Sequence, residues 1–373
     1  MQNILTAFLK SESTGGLLLM AAAVLAVILA NSPCAGAYTA LLNTPLLHHS
    51  LTHWVNDALM ALFFLLVGLE IKRELIQGEL STWPQRLLPG LCALGGMVVP
   101  ALLYAAVNHN SPQTLNGWAI PTATDIAFAL GILALFPRAP TSLKIFLTAL
   151  AILDDLGAIL LIAVFYSHGF SPVHLALAAI LTASLITFNR SRVTALWPYL
   201  ITGLLLWLCI DQSGLHATLA GVILALTIPL KTQPGPLLKL EHALHPYVAF
   251  LVIPIFGFFN AGLPLTGITL NDFSHPLTLG ILVGLLIGKQ LGVGLCMWFG
   301  IRFLKVPMPL NTSPLQLYAV TLLCAIGFTM SLFIGGLAVT ANYLPEVRLG
   351  ILTASIIAAI GAAFILALTS PRK

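Results

Sequence analysis

Long apolar stretches, separated by short polar segments, follow one another along nearly the whole sequence. A helix of ~20 apolar residues is long enough to cross the hydrocarbon core of a bilayer, so each stretch predicts one transmembrane helix. We predict twelve spans, close to residues 13–30, 54–72, 87–107, 117–135, 143–166, 173–188, 195–210, 214–230, 247–263, 277–300, 316–338 and 346–368. The chain is therefore expected to be an all-α polytopic membrane protein, with residues 1–373 in a single membrane-embedded domain.

Basic residues occupy alternate connections between these spans. Of the 16 lysines and arginines, all except Lys289 and Arg348 fall on one side of the membrane in this arrangement. The positive-inside rule makes that side cytoplasmic, so both termini are expected in the cytoplasm. A wrong number of helices would mix the two sides, so the segregation also favours the count of twelve.

Composition excludes several classes of protein. Hydrophobic residues make up 58% of the chain and charged residues only 8%, against ~25% charged in a soluble domain. The sequence contains no phosphate-binding glycine loop, and its five cysteines have no metal-ligand spacing. We expect no cofactor, no nucleic-acid partner and no enzyme, and the driving energy should come from an ion gradient or from a partner outside the chain.

Two adjacent carboxylates, Asp154 and Asp155, lie midway along the fifth span. Each aspartate at the bilayer centre costs roughly 2.5–3.5 kcal/mol on the insertion scale. The two side chains point about 100° apart on a helix, because a turn takes 3.6 residues, so one structural partner cannot easily satisfy both. The pair predicts a site for a cation, for protons, or for both in turn; structural ion pairs are the alternative.

The fourth span contains a proline followed closely by polar residues. Pro121 removes a helical hydrogen bond and clashes with the preceding turn, and Thr124 and Asp125 follow it. We predict an unwound segment between two half-helices, which is tolerated at membrane depth only inside protein or along a wet cavity. A simple proline kink with Asp125 in a structural pair is the alternative.

The eleventh span carries a second, weaker signal for a break at Gly327 and Thr329. Spans four and eleven are an odd number of helices apart, so they cross the membrane in opposite senses. Spans 3–5 and 10–12 would then form an inverted repeat, and paired interruptions in two such halves indicate the midplane site of a transporter.

If the two breaks cross, like helix ends face each other. Each end carries roughly half a unit charge, so an acidic residue would offset the paired N-termini and a basic residue the paired C-termini. Asp125 and Lys289 are the available candidates.

Lys289 lies in the middle of the tenth span, where it should pair with a buried carboxylate. It stands beside a glycine at every fourth position, a pattern that lets another helix approach closely. The stripe consists of Gly280, Gly284, Gly288 and Gly292.

A charged group ends the second span. Glu70, Arg73 and Glu74 share or adjoin one helix face, which indicates either a solvated helix end with local ion pairs or a vestibule that gathers cations or senses protons. Glu241 belongs to a polar cluster just before span nine, where a solvated loop is the default. His216, at the start of span eight, is either a satisfied interface histidine or a pH-sensitive group.

These motifs together resemble the NhaA family of bacterial Na+/H+ antiporters, and the likeness runs in order along essentially the whole chain. The matching segments are residues 56–60 (NDALM), 68–75 (GLEIKREL), 121–129 (PTATDIAFA), 153–157 (LDDLG), 214–218 (GLHAT), 240–242 (LEH), 288–289 (GK) and 327–331 (GFTMS).

The resemblance implies an electrogenic transporter of the bacterial inner membrane that exports Na+ or Li+ and admits a larger number of protons, favoured at alkaline pH. Twelve helices with spans 4 and 11 unwound and crossing would form the fold. Asp154 and Asp155, with Thr124 more peripheral, would hold the ion, and Lys289 would pair with Asp154 and release it during the cycle. The implied pH-regulating residues are Glu70, Arg73, Glu74, Glu241 and His216.

Some members of that family have a longer first outer loop, with a β-hairpin that joins two protomers. The loop before residue 54 is short here and shows no clear pair of alternating strands. We expect a homodimer, with its interface left open.

Three other functions are compatible with parts of the pattern. An intramembrane aspartyl protease is disfavoured because two adjacent aspartates on one helix cannot flank a peptide bond, and no Gly-Asp dipeptide occurs in the chain. A cation or proton channel is disfavoured by the paired helix breaks. A Na+-coupled symporter would need an organic-substrate site, which the sequence does not indicate.

Overall fold

Helices make up most of the computed structural model, which describes residues 12–167, 169–230 and 235–369. Backbone polar groups in a bilayer must be paired within the protein, and a helix pairs them locally. Numbered along the chain, the helices are α1 Glu12–Ala30, α2 Ala35–Leu42, α3 Leu51–Ile76, α4 Trp83–Asn108, α5 Pro112–Thr122, α6 Ile126–Ala134, α7 Thr141–Phe165, α8 Pro172–Arg190, α9 Trp197–Asp211, α10 Leu219–Thr227, α11 Pro236–Asn260, α12 Pro276–Arg302, α13 Pro314–Cys324, α14 Phe328–Ala338 and α15 Leu344–Thr369.

Eight helices within the described residues are long and apolar enough to cross a membrane, or up to ten if each of two bent pairs is one span. The chain is therefore a multi-pass all-α membrane protein. The predicted eighth span, 214–230, is helical only in α10, which begins at Leu219, five residues after Gly214 with its left-handed backbone conformation (φ 89°). The count of twelve stays a prediction.

The first outer loop contains a short β-hairpin, so the expectation that it has none was wrong. Strands β1 (Pro45–Leu46) and β2 (His49–Ser50) pair antiparallel, and Leu47 adopts a left-handed conformation (φ 57°) in the turn between them. Strands of two residues are too short to produce the alternation by which a strand is recognised.

The glycine stripe of α12 packs against α4 and α5, as its spacing predicted. A methyl group on Gly284 would lie 2.6 Å from Cβ of Pro121, and one on Gly288 would lie 2.7 Å from Cα of Pro100. Only hydrogen atoms fit at these contacts, so the backbones approach closely. This contact places α12, and with it Lys289, beside the first half of the fourth predicted span.

Polar contacts tie together the end of the bundle at which α3 finishes, which we call the basic end. Lys72 donates to the carbonyl oxygens of Leu226 and Ile228, at 2.7 and 2.5 Å. Arg86 of α4 donates to the carbonyl oxygen of Leu75 at 2.6 Å. These bonds close the ends of α3 and α10 with basic side chains, which helix C-termini favour.

Candidate ion-binding site

Two of the predicted spans are interrupted in the protein interior. The first break, residues 123–125, separates α5 from α6, whose axes differ by 42°. The second break, residues 325–327, separates α13 from α14. Pro121 lies in the last turn of α5, and Gly327 directly precedes α14. The first break thus follows Pro121 and the second ends at Gly327, whereas Thr329 is the second residue of α14.

The two breaks are hydrogen-bonded to each other. The backbone N–H of Asp125 donates to the carbonyl oxygen of Ile326 at 2.7 Å. The hydroxyl of Thr124 donates to the carbonyl oxygen of Cys324, the last residue of α13, at 2.8 Å. Backbone groups that lost their helical partners at one break are thus satisfied by the other, as non-helical backbone at membrane depth requires.

Asp125 faces the first turns of both half-helices that follow the breaks. Its Oδ1 accepts from the backbone N–H of Phe128 in α6 at 2.9 Å. Its Oδ2 accepts from the backbone N–H and the hydroxyl of Thr329 in α14, at 2.9 and 2.6 Å. One fully buried carboxylate therefore caps two helix N-termini, where a negative charge is stabilising.

Lys289 reaches the opposite side of the breaks. Its ammonium donates to the carbonyl oxygen of Thr122 at 2.6 Å, to the hydroxyl of Thr124 at 3.0 Å and to Oδ2 of Asp154 at 2.9 Å. Thr122 ends α5, so the positive charge lies at a helix C-terminus. All three N–H groups of this buried ammonium are used.

Asp154 and Asp155 are buried in α7, each with 1% of its surface exposed. Oδ1 of Asp154 and Oδ1 of Asp155 have no hydrogen-bond partner. Buried polar atoms are nearly always paired, so two unpaired carboxylate oxygens on adjacent residues indicate a bound species. Protons and small hard cations, which prefer oxygen ligands, fit these atoms.

A second charged group lies at the basic end. Arg73 contacts Oε1 of Glu74 at 2.5 Å and Oε1 of Glu241 at 2.9 Å. The solvated loop expected around Glu241 was wrong, because α11 already begins at Pro236 and buries this side chain to 6% exposure. Arg73 of α3 is thus paired with a residue 168 positions away in the sequence.

These charged side chains line a cavity of about 280 Å³. Glu70 and Lys144 share its wall with the residues of that group, and Ile152 also lines it. Ile152 is on α7, one turn before Asp155. The cavity therefore extends from the basic end to within one helical turn of the paired aspartates.

His216 is not part of this group. Its Nε2 lies 3.8 Å from Oδ1 of Asp57. Asp57 and Arg73 are about 24 Å apart along α3, because a helix rises 1.5 Å per residue. The structure brings Asp57 close to His53 and Asp211, a cluster that the sequence analysis missed. The signal that was available is the spacing of His53 and Asp57, which are four residues apart and so share a helix face.

Comparison with known proteins agrees with these motifs. Residues 6–366 match the family model described as Na+/H+ antiporter 1. An antiporter named Na(+)/H(+) antiporter NhaA from Mesorhizobium japonicum is 54% identical over 371 residues, covering 96% of this chain and 93% of the relative. The protein of that name from Caulobacter vibrioides is 54% identical over 379 residues, with 99% and 92% covered. Na(+)/H(+) antiporter NhaA 2 from Pseudomonas syringae pv. tomato is 55% identical over 364 residues, with 96% and 93% covered. The chain belongs to the Na+/H+ antiporter 1 family, as its motifs predicted.

Proposed function

We propose that this protein is a secondary transporter, not an enzyme, that exports cytoplasmic Na+ or Li+ across the bacterial inner membrane in exchange for external H+. The observation that carries the proposal is the buried contact between Lys289 and Asp154, which lies where two helix breaks meet and beside unpaired oxygens of Asp154 and Asp155. No cofactor is needed, because the ion gradients supply the energy.

Competition between cation and protons couples the two fluxes. Asp154 and Asp155 provide oxygens for Na+ or Li+, and Thr124 lies at the edge of the same site. A cation that arrives at Asp154 competes with the ammonium of Lys289 for Oδ2, so binding releases the 2.9 Å contact. Protons that arrive from the other side displace the cation, and the contact between Lys289 and Asp154 forms again.

Exchange of more protons than cations makes transport electrogenic. Asp154 with Lys289 and, separately, Asp155 offer two places for a proton, whereas the unpaired oxygens lie on adjacent residues and suit one small cation. If two protons replace one monovalent cation, each cycle moves one net charge.

Alternating access accounts for the burial of the site better than a channel does. The exposed fractions of Asp154, Asp155 and Lys289 are 1%, 1% and 0%, so water scarcely reaches the site from either end in this conformation. We propose twelve spans with spans 3–5 and 10–12 as an inverted repeat, and both termini in the cytoplasm. Asp125 and Lys289 would then balance the paired helix ends while one bundle rocks against the other.

The cavity at the basic end is the proposed cytoplasmic entrance and the proposed site of pH regulation. Arg73 pairs with both Glu74 and Glu241, so opening of these pairs would let this wall of the cavity rearrange. We propose that this rearrangement distinguishes the less active protein at neutral pH from the active protein at alkaline pH. His216 lies beside Asp57, near the opposite end of α3. Any effect of His216 on the pH response would therefore act through Asp57.

Everted membrane vesicles with an imposed inside-acid pH gradient test the function. Additions of Na+, then Li+, then K+ at about pH 7 and about pH 8.5 are compared for the wild type, Asp155→Asn and the control Asp272→Asn, which changes an aspartate of a short 3-10 helix outside the site. Na+ and Li+ should dissipate the gradient in the wild type and the control but not in Asp155→Asn. Dissipation that persists in Asp155→Asn would overturn the assignment of the site.

A further inference from the structure

Three polar side chains converge at the end of α3 opposite the basic end. One ligand atom from each of His53, Asp57 and Asp211 lies within 4.8 Å of the other two. His53 and Asp57 are one turn apart on α3, with Nε2 of His53 3.0 Å from Oδ2 of Asp57. Asp211 is the last residue of α9. We call these three residues the histidine–aspartate cluster.

The local backbone of α3 is unusual at this cluster. Residues Val55–Leu59, which include Asp57, form a π-helical turn within an otherwise α-helical segment. Such single π-turns occur frequently at functional sites, because the extra residue redirects side chains on the helix face. The known motifs of the ion-binding site do not account for this turn, which is on the same helix as the basic end but far from it.

A second histidine supports the cluster without joining it. The backbone N–H of Thr218 donates to Nδ1 of His216 at 3.3 Å, so Nε2 carries the proton of the neutral ring. That Nε2–H faces Oδ1 of Asp57 at 3.8 Å, which is beyond hydrogen-bond distance, and a protonated ring nitrogen offers no lone pair to a metal. The ring of His49 stacks on that of His53 with the centroids 4.1 Å apart.

We propose that the histidine–aspartate cluster binds a divalent transition-metal cation of the Zn2+ type. One imidazole nitrogen and two carboxylates form a donor set that suits Zn2+, whereas Ca2+ takes six to eight oxygen ligands and Mg2+ demands octahedral oxygen geometry. Three protein ligands leave a fourth position for water. The site lies on the side of the membrane that the proposed orientation makes extracytoplasmic.

Small movements of exposed side chains complete the site. Ligand atoms around a tetrahedral Zn2+ lie about 3.4 Å apart at bond lengths near 2.1 Å, compared with the 4.8 Å limit of the present arrangement. The side chain of His53 is 41% exposed and Asp211 is exposed, whereas the side chain of Asp57 is only 15% exposed. Asp57 thus provides the fixed ligand, and the two exposed residues close on the cation from the water side.

A bound cation would join α3 to the end of α9. Any ligand that binds the folded state alone raises the unfolding temperature, in proportion to the logarithm of its concentration above Kd. Binding can therefore be measured without any assay of transport, so its outcome is independent of the proposed exchange activity.

Titration of the purified full-length protein, after treatment with a chelator, tests the proposal. Calorimetry with ZnCl2 should give one saturable site per chain, and Zn2+ should raise Tm while MgCl2 at equal concentration does not. His53→Gln and Asp211→Asn should each weaken Zn2+ binding by at least about tenfold. The control His48→Gln removes an exposed histidine from the hairpin turn of the same loop and should leave binding unchanged.

The visible absorption of bound Co2+ distinguishes metal binding by the cluster from a purely structural role of its residues. Co2+ bound to a nitrogen and carboxylate site of low coordination number should give visible d–d absorption, which Asp211→Asn should abolish while its gel-filtration profile remains that of the wild type. Absence of saturable Zn2+ binding in the wild type, or equal affinity in the wild type and both cluster variants, would overturn the proposal.

Discussion

The ammonium of Lys289 donates to the carboxylate of Asp154 at 2.9 Å, and neither side chain is exposed to solvent. The same ammonium donates to Thr122 and Thr124 at the first break. One side chain on α12 therefore joins the helix that carries both aspartates to the segment where the fourth span is unwound. A cation that competes for Asp154 changes the contacts of all three elements, which links occupancy of the site to the arrangement of the helices.

Lys289→Met should destabilise the protein strongly. It leaves Asp154 as a buried, unpaired charge, and removal of one partner of a buried pair typically costs about 3–5 kcal/mol. The measurement is thermal unfolding in detergent, with Lys239→Met, the same change at an exposed lysine of α11, as the control. Asp154→Leu in the Lys289→Met background should be less destabilising than the two single changes together, because it removes the orphaned charge. A Tm equal to that of the wild type in Lys289→Met would contradict this account.

Asp125→Ala should lower stability and impair transport together. The change removes the acceptor for one N–H in α6 and for two donors of Thr329 in α14. A lost N-cap lowers the free energy of unfolding by about 0.5–2 kcal/mol, so the loss of two caps should lower it by about 1–4 kcal/mol. Asp125→Asn keeps one acceptor oxygen and loses the charge, so its Tm should fall between those of the wild type and Asp125→Ala. Normal Tm and normal exchange in Asp125→Ala would show that the carboxylate does not stabilise the crossing.

Local chemistry explains why the centre of the molecule could be predicted from the sequence. Pro121 cannot donate a helical hydrogen bond, and Lys289 in the middle of an apolar span needs a partner wherever the fold places it. Such residues restrict their own surroundings, so the break, the buried pair and the close glycine contact follow from single stretches of sequence. The contacts of Asp125 with both half-helices depend in addition on the breaks meeting, which the spacing of the two signals indicated.

Contacts between distant segments explain what the sequence did not show. Arg73 and Glu241 are 168 residues apart. The periodicity of apolar residues predicts each helix but does not indicate which helix ends become neighbours. The same holds for Asp57 and Asp211, which meet only because α3 and α9 are adjacent at that end. The hairpin around Leu47 failed for a different reason, since strands of two residues leave no pattern.

Glu241→Gln should raise the Na+ concentration for half-maximal exchange more than it changes stability. Glutamine fills about the same space but carries no charge, so the cavity loses one negative charge and Arg73 loses its ion pair with this residue. Arg73 is 32% exposed, so water compensates part of the loss and the change in Tm should be small. Because fewer negative charges attract cations to the proposed entrance, exchange in vesicles should require more Na+ than in the wild type.

Glu79→Gln is the matched control for that measurement. Glu79 is an exposed residue just beyond the end of α3, and the same chemical change there leaves the Arg73 pairs in place. A wild-type Na+ dependence in Glu241→Gln, or an equal change in both variants, would show that Glu241 does not act at the proposed entrance.

Gly288→Ala should disturb the ion-binding site although it adds only a methyl group. That methyl would lie 2.7 Å from Cα of Pro100, a backbone atom in the interior of α4 that cannot turn aside as a flexible side chain can. Overpacking of this kind typically costs about 1–3 kcal/mol. Because Lys289 is the next residue, separation of α12 from α4 also moves the ammonium relative to Asp154, so a lower Tm should be accompanied by a higher Na+ concentration for half-maximal exchange.

Gly294→Ala distinguishes this effect from the general effect of alanine in α12. Among the residues that the structure describes, no atom outside the surrounding turns of α12 lies within 4 Å of a methyl group at position 294, and alanine is the better helix former by roughly 0.5–1 kcal/mol. Gly294→Ala should therefore keep the Na+ dependence of the wild type and leave Tm unchanged or slightly raised. If Gly288→Ala behaved in the same way, the close approach of α12 to α4 would not determine the position of Lys289, and the link between helix packing and the ion site would have to be given up.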